Sequence, residues 1–339
     1  MADQSLEAPA RAASANKFTL FVTAVLACTL IPYIFMPLNA LALPGFESFV
    51  LFAGFLMFIG GDAHVASSFL FYTLPEARPL IRDNPKRYIA VPIALILGSG
   101  VLIALGPPVV DKHYFLFLLA WLLWHYQRQN FGIASFFAAK TRTGPLSRRE
   151  RYLINGAAVC GIVGLIKVNG AADMTLFEPL VEEVRLLGKY AYMAILAVSV
   201  ATFGENLLKG AKLKGIAVLA ATLFFLPTYL FSNPVAAFAG YALAHGLQYL
   251  VFMSVVATSH TRASIGRNLG ILVACVAAGG YFLTFLRETG PGDGPFNGLL
   301  FGIAVGIVMS HFVVDAGIWK LRNAQSRAFV KDKFGFIFE

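Results

Sequence analysis

Residues 113–139 read HYFLFLLAWLLWHYQRQNFGIASFFAA. The stretch is apolar for longer than the roughly 20 residues a helix needs to cross a bilayer core. Yet its inner half carries His125, Arg128 and Gln129. Hydrocarbon makes such groups costly, so those that persist there face a bundle interior and mark functional sites. At i, i+3 and i+4 the three side chains share one helix face. The stretch therefore predicts a polytopic membrane bundle built around a polar interior site.

The rest of the chain repeats the pattern. Hydropathy divides the 339 residues into ten apolar segments, 18–37, 48–74, 88–108, 113–139, 150–168, 187–205, 214–232, 236–256, 267–286 and 296–319. The second and fourth exceed the bilayer requirement and are expected to tilt or project beyond it. With 58% hydrophobic and only 13% charged residues, the chain is not a soluble domain, which would carry about 25% charge. Cys28, Cys160 and Cys275 lie in separate segments without CxxC spacing, so neither a disulfide framework nor a thiolate zinc site is indicated. The first segment follows Arg11 and Lys17, is long for a signal-peptide core and lacks a cleavage pattern. It reads as a retained helix.

The net charge of +9 is a topology signal rather than a nucleic-acid footprint. Of 27 basic residues, 21 fall on one side of the ten-span arrangement: the N-terminus, 75–87, 140–151, 206–214, 257–267 and the C-terminus. The other side holds Lys112, Lys167, Arg185, Lys189 and Arg287. Both termini are accordingly expected in the cytoplasm, as for a protein of a bacterial inner (plasma) membrane. The domains are then a tail over 1–17, one transmembrane domain over 18–319 and a basic tail over 320–339. The acidic stretch 169–186, outside, is expected to hold at most a short surface helix.

His64, His125, His245 and His311 sit singly in segments two, four, eight and ten, which all run in the same direction. Their depths agree to within roughly one or two turns, so four imidazoles can converge. His245, Gln248 and Tyr249 share a face, with Tyr241 a turn earlier, and Asp315 stands at i+4 from His311, placed to orient that imidazole. Asp62 and His64 are separated by about 200° on a regular helix unless Gly60–Gly61 loosens the turn. Arg128 needs an anionic partner, for which Asp62 and Asp315 are the candidates.

Taken singly, an intramembrane histidine is an interhelical hydrogen-bonding residue, and the glycines at 60, 61 and 240 let helices approach. His113 and His260 fall at membrane edges. The coincidence on four helices is what points to a shared site. His64, His125, His245 and His311 are the expected metal ligands, with Asp62 and Asp315 as ligands or orienters. Arg128, Gln129, Gln248 and Tyr249 would shape the reacting site, with Tyr241 and Tyr249 along the substrate path. Neutral imidazoles without thiolates suit non-haem iron best, with copper and zinc as alternatives. Haem b held by histidine pairs, and a proton-coupled transporter using the Asp/His/Arg set, are the competing readings. The HxxxH and HxxHH boxes of membrane desaturases, GxSxG and phosphate loops are absent.

The scattered intramembrane histidines His64, His125, His245 and His311, on a polytopic chain, resemble the Brp/Blh integral-membrane beta-carotene dioxygenases, with no extended motif in common. That resemblance implies histidine-ligated iron, dioxygen as co-substrate and oxidation of a lipid or carotenoid. The expected partners are membrane lipids, a lipophilic small molecule, dioxygen and an electron donor, and no nucleic acid.

Overall fold

A backbone inside hydrocarbon must pair its own N–H and C=O groups, and helices do this segment by segment. The computed structural model describes residues 4–34, 58–106, 108–141, 143–165, 178–230, 234–259, 262–290 and 294–338, and all regular structure among them is helical. The elements are α1 (Gln4–Thr29), α2 (residues 59–73, in three short pieces), α3 (Arg78–Asp83), α4 (Lys86–Leu105), α5 (Pro108–Thr141) and α6 (Arg148–Gly164). They continue with α7 (Glu178–Leu208), α8 (Lys212–Leu223), α9 (Pro234–Thr258), α10 (Ser264–Glu288), α11 (Pro295–Ile318), α12 (Ala324–Lys333) and α13 (Gly335–Phe338). Every apolar segment of the sequence is mostly helical over its described part, with turns at 68–69 and at 224–226, the latter followed by a short helix Pro227–Leu230; residues 35–37, 48–57, 107, 166–168 and 231–232 lie outside the described residues.

Among the described residues, five helices are long and apolar enough to cross a membrane: α4, Leu180–Leu208 within α7, Phe238–Thr258 within α9, α10 and α11. Large apolar side chains project outward from them, among them Leu97 and Leu105 of α4, Leu187 of α7 and Tyr281 of α10. Such faces would be a liability in water and are the natural contact for lipid. The acidic stretch does not form a separate surface helix where it is described, because residues from Glu178 onward are the first turns of α7. Residues 169–177 lie outside the described residues.

Where helices meet, small residues bring the backbones together. Gly298, Gly302 and Gly306 recur every fourth residue on α11 and face α4. A Cβ on Gly302 would lie 2.5 Å from the Ser99 carbonyl oxygen, and one on Gly306 2.5 Å from Ile96 Cα. Close van der Waals packing of this kind replaces the hydrophobic drive that lipid removes.

The basic C-terminal stretch is folded rather than loose. Asn323 caps α12 by accepting from the Gln325 and Ser326 amides, and Phe329, Val330, Phe334 and Ile337 are buried. Phe334 packs against Phe21 of α1, Phe136 of α5 and Phe252 of α9, with ring centroids 5.4–5.8 Å apart. Lys333, fully buried, pairs with Asp332 at 2.8 Å and Glu76 at 3.7 Å. The end of the chain thus ties α1, α5 and α9 together near the basic loops.

Candidate metal centre

Four helices deliver the four histidines to one place: His64 from α2, His125 from α5, His245 from α9 and His311 from α11. Their rings form a closed four-membered circuit. Centroids are 4.8 Å apart for His64–His245, 4.9 Å for His245–His125, 5.1 Å for His125–His311 and 5.1 Å for His311–His64. Neighbouring rings are close to perpendicular, at 74–89°. Ligand atoms of His64, His245 and His311 lie within 4.8 Å of one another, and so do those of His125, His311 and Asp315. All five residues are buried. This is a multi-histidine group that could hold a metal ion.

Glycine sets the closest of these approaches. A Cβ on Gly60, one turn before His64, would sit 2.6 Å from Leu243 Cα. One on Gly246, next to His245, would sit 2.6 Å from Gly60 Cα. The absence of a Cβ at both glycines is what allows α2 and α9 to cross so tightly. Gly61, by contrast, faces open space apart from Arg287 Nη1 at 3.8 Å. Of the glycines expected to permit approach, Gly60 does so, and Gly246 was not singled out from the sequence.

The ring nitrogens are the informative atoms. Both nitrogens of His64, both of His245, and Nε2 of His125 and His311 are buried without a hydrogen-bond partner. Those six account for two-thirds of the nine buried side-chain N and O atoms lacking a partner among the described residues. A buried polar atom left unpaired costs about 1–3 kcal/mol. Each neutral imidazole can offer one of these nitrogens to an electron-pair acceptor, and the two ligand groups, which share His311, each hold three ligand atoms within 4.8 Å of one another. Imidazole is a donor suited to iron, copper and zinc.

Surrounding groups fix the rings without occupying those nitrogens. Phe312 stacks on His125 with centroids 4.3 Å apart, and Tyr126 lies against His245 at 4.4 Å. His311 Nδ1 is 3.2 Å from Ser68 Oγ. Asp315 accepts from Tyr249 Oη at 2.7 Å and from Trp319 Nε1 at 3.1 Å, and its other oxygen is 4.0 Å from His125 Nε2.

These contacts correct four expectations. Asp315 does not orient His311 on its own helix. It faces His125 of α5, and Ser68 meets His311 instead, because an i+4 pair on one helix yields to closer groups across the bundle. Among the described residues Arg128 has no carboxylate partner: its guanidinium lies 4.4 Å from the Phe131 ring centroid. The reason is that Asp62 is already engaged, by Arg287 at 2.9 Å and Thr284 Oγ1 at 2.6 Å. The glycine pair does loosen the helix, as a π-helical turn over Ile59–Ala63, but Asp62 turns to α10 and belongs to neither ligand group. Tyr241 is also elsewhere, bonded to Thr228 and the Phe225 carbonyl oxygen.

The amides serve two ends. Gln129 donates to the His245 carbonyl oxygen at 3.0 Å and to Gln248 Oε1 at 2.8 Å. Gln248 in turn donates to Thr29 Oγ1 at 2.8 Å and to Asn130 Oδ1 at 3.4 Å. Asn130 reaches Gln127, which bonds the carbonyl oxygens of Ile154 and Ala221. This chain girdles the centre and links α1, α5, α6, α8 and α9.

A cavity of about 970 Å³ opens beside the ring. His125, Asp315, Tyr249, Gln129 and Arg128 all line it, as do Trp121, Trp124 and Trp319. Its volume lies at the upper end of the roughly 300–1,000 Å³ usual for small-molecule sites. The side chain of His113 and all of His260 lie outside the described residues. Compared with family models, with curated proteins and with solved structures, the chain finds no match.

Proposed function

We propose that the chain is an integral membrane metalloenzyme of ten spans, with both termini cytoplasmic, that uses a non-haem iron centre and dioxygen to oxidise a lipophilic substrate. The observation that carries this reading is the set of six orphaned imidazole nitrogens on four mutually adjacent, buried rings. His64, His125, His245 and His311 would hold the metal, and Asp315, itself held by Tyr249 and Trp319, would orient or join them through His125.

Iron supplies redox contact with dioxygen, and both dioxygen and an apolar substrate partition into the bilayer. The residues around the centre supply the rest. Phe312 and Tyr126 keep the rings in place and water away, while Trp121, Trp124 and Phe131 give the cavity an apolar wall. Cleaving a carbon–carbon double bond with dioxygen into two carbonyl groups places both oxygen atoms in products and needs no further electrons. Hydroxylation places one oxygen atom in the product and reduces the other to water, which takes two electrons and two protons from a donor. The ring circuit supports a bare ion over haem b, since a porphyrin between one histidine pair would occupy the space filled by the other pair.

The test is dioxygen uptake by detergent-purified, iron-loaded protein supplied with membrane lipid extract or beta-carotene, followed by mass analysis of products. Uptake with oxidised product, lost in His125→Ala, is the expected result. Stoichiometric metal with no dioxygen consumption on any lipid fraction would replace catalysis by a structural metal site.

A further inference from the structure

The cavity beside the histidine ring has an electrostatic asymmetry that an oxidising site for a pure hydrocarbon would not need. Among the described residues, Arg87, Arg128, Arg151, Lys320 and Arg322 line it, against a single lining carboxylate, Asp315, which is already occupied by Tyr249 and Trp319. None of the five cations forms an ion pair among the described residues. Arg128 lies over Phe131, and Arg151 donates to the Leu146 carbonyl oxygen at 2.9 Å. Lys320 is held below its usual value by burial and by the neighbouring Arg322 and Arg87, as expected of cations gathered without counter-charge.

Topology alone does not explain this. Positive-inside bias scatters Lys and Arg over the cytoplasmic loops, but it does not aim them into one cavity. Nor does it place an arginine inside a span. Arg87 starts α4, Arg151 lies in the first turn of α6, and Lys320 and Arg322 follow α11, so three separate chain segments converge with Arg128 of α5. Guanidinium groups match the planar, bidentate geometry of carboxylate and phosphate. The same cavity is walled by Trp121, Trp124, Phe136, Phe252 and Phe312. Its lining thus combines cationic side chains with a set of aromatic ones.

We infer that the substrate is an amphiphile with a single anionic oxyacid head, phosphate or carboxylate, whose head is held by these five cations and whose chain runs along the aromatic wall to the histidine ring. This rests on the metal-centre reading for the word substrate, though the binding site itself does not. Arg128 follows His125 by three residues, about 4.5 Å along the helix axis. A head held there sets the oxidised carbons within a few bonds of the head rather than at the far end of the chain. Entry is from the basic, cytoplasmic side.

The three tryptophans of the protein, Trp121, Trp124 and Trp319, all line this cavity, so tryptophan fluorescence, excited where tyrosine does not absorb, reports on it. Titrations of purified protein in uncharged detergent would use hexadecyl phosphate, palmitate, hexadecanol and inorganic phosphate, with metal content measured on the same samples. Hexadecyl phosphate or palmitate should bind at least about tenfold tighter than hexadecanol, the worth of one charge-assisted hydrogen bond. Arg128→Gln and, separately, the exposed Arg322→Gln should each narrow that gap while metal content stays level, and Arg128→Lys should restore part of it. Equal binding of hexadecanol, or a gap untouched in both glutamine variants, overturns the inference. Inorganic phosphate binding as tightly as hexadecyl phosphate overturns it too, making the site one for a free anion. Selective binding without any metal keeps the anionic-amphiphile site and removes the oxidation reading, whereas metal without selectivity does the reverse.

Discussion

Two buried polar clusters in this molecule are built to opposite rules. In the first, Ser147 caps α6 in a reciprocal capping box with Glu150. The Glu150 carboxylate then accepts from the Ser147 amide at 2.6 Å, Asn206 Nδ2 at 2.9 Å and Lys214 Nζ at 3.1 Å. Lys214 also reaches the Pro145 carbonyl oxygen at 3.4 Å. Each carboxylate oxygen has a donor, and the cluster needs nothing more. In the second, four imidazoles lie ring against ring with six nitrogens unpaired. A chain that completes its structural ion pair this thoroughly has no physical reason to leave the histidines open unless something else completes them. The difference separates a polar group retained for stability from one retained for chemistry.

Breaking each cluster should therefore give different losses. The largest effect is expected from removing two ligands at once: His64→Ala with His245→Ala should empty the centre of metal, read by elemental analysis, while the variant remains folded and monodisperse in detergent. Lys214→Met attacks the other cluster. It leaves the Glu150 charge buried without its counter-ion and should cost about 3–5 kcal/mol of stability, with metal content unchanged. Thermal unfolding and metal analysis on one sample separate the two.

Smaller changes sharpen the contrast. Asp315→Asn keeps the shape but removes the charge near His125, and metal affinity should fall about 10–100-fold, measured by competition with a chelator of known affinity. Gly60→Ala forces α2 off α9 and should cost about 1–3 kcal/mol together with metal, because His64 and His245 move apart. Its neighbour is the control: Gly61→Ala meets only the end of Arg287 and should stay within about 0.5 kcal/mol of the parent. Equal effects of the two glycine substitutions would refute the close-approach account of the ring.

Much of this was legible in the sequence. Apolar length predicted helices that the structure contains, and four lone histidines on separate apolar segments were enough to foresee their meeting. What failed were partner assignments, because helical periodicity says which side chains share a face and not which group across the bundle is nearer. Asp315 found His125 rather than His311, and Asp62 found Arg287, once the π-helical turn had altered the local register. Ser68 escaped notice because it meets His311 from another helix, and Tyr126 and Phe312 because aromatic residues next to a histidine look like packing. Their adjacency, YQRQ after His125 and FVVD after His311, was the available signal. The docking of the C-terminal stretch was hidden because Phe329, Val330, Phe334 and Ile337 are spaced too widely among charges to read as a span. The cationic cavity was equally hidden, since Arg87, Arg128, Arg151, Lys320 and Arg322 come from distant parts of the chain.

The most direct test of the central claim is elemental analysis with an absorption spectrum on the detergent-purified protein, beside the His64→Ala, His245→Ala double variant. The account predicts close to one iron per chain without a haem Soret band, and loss of that iron in the double variant. A preparation that stays metal-free after reconstitution, or one whose metal survives the loss of both histidines, would contradict it.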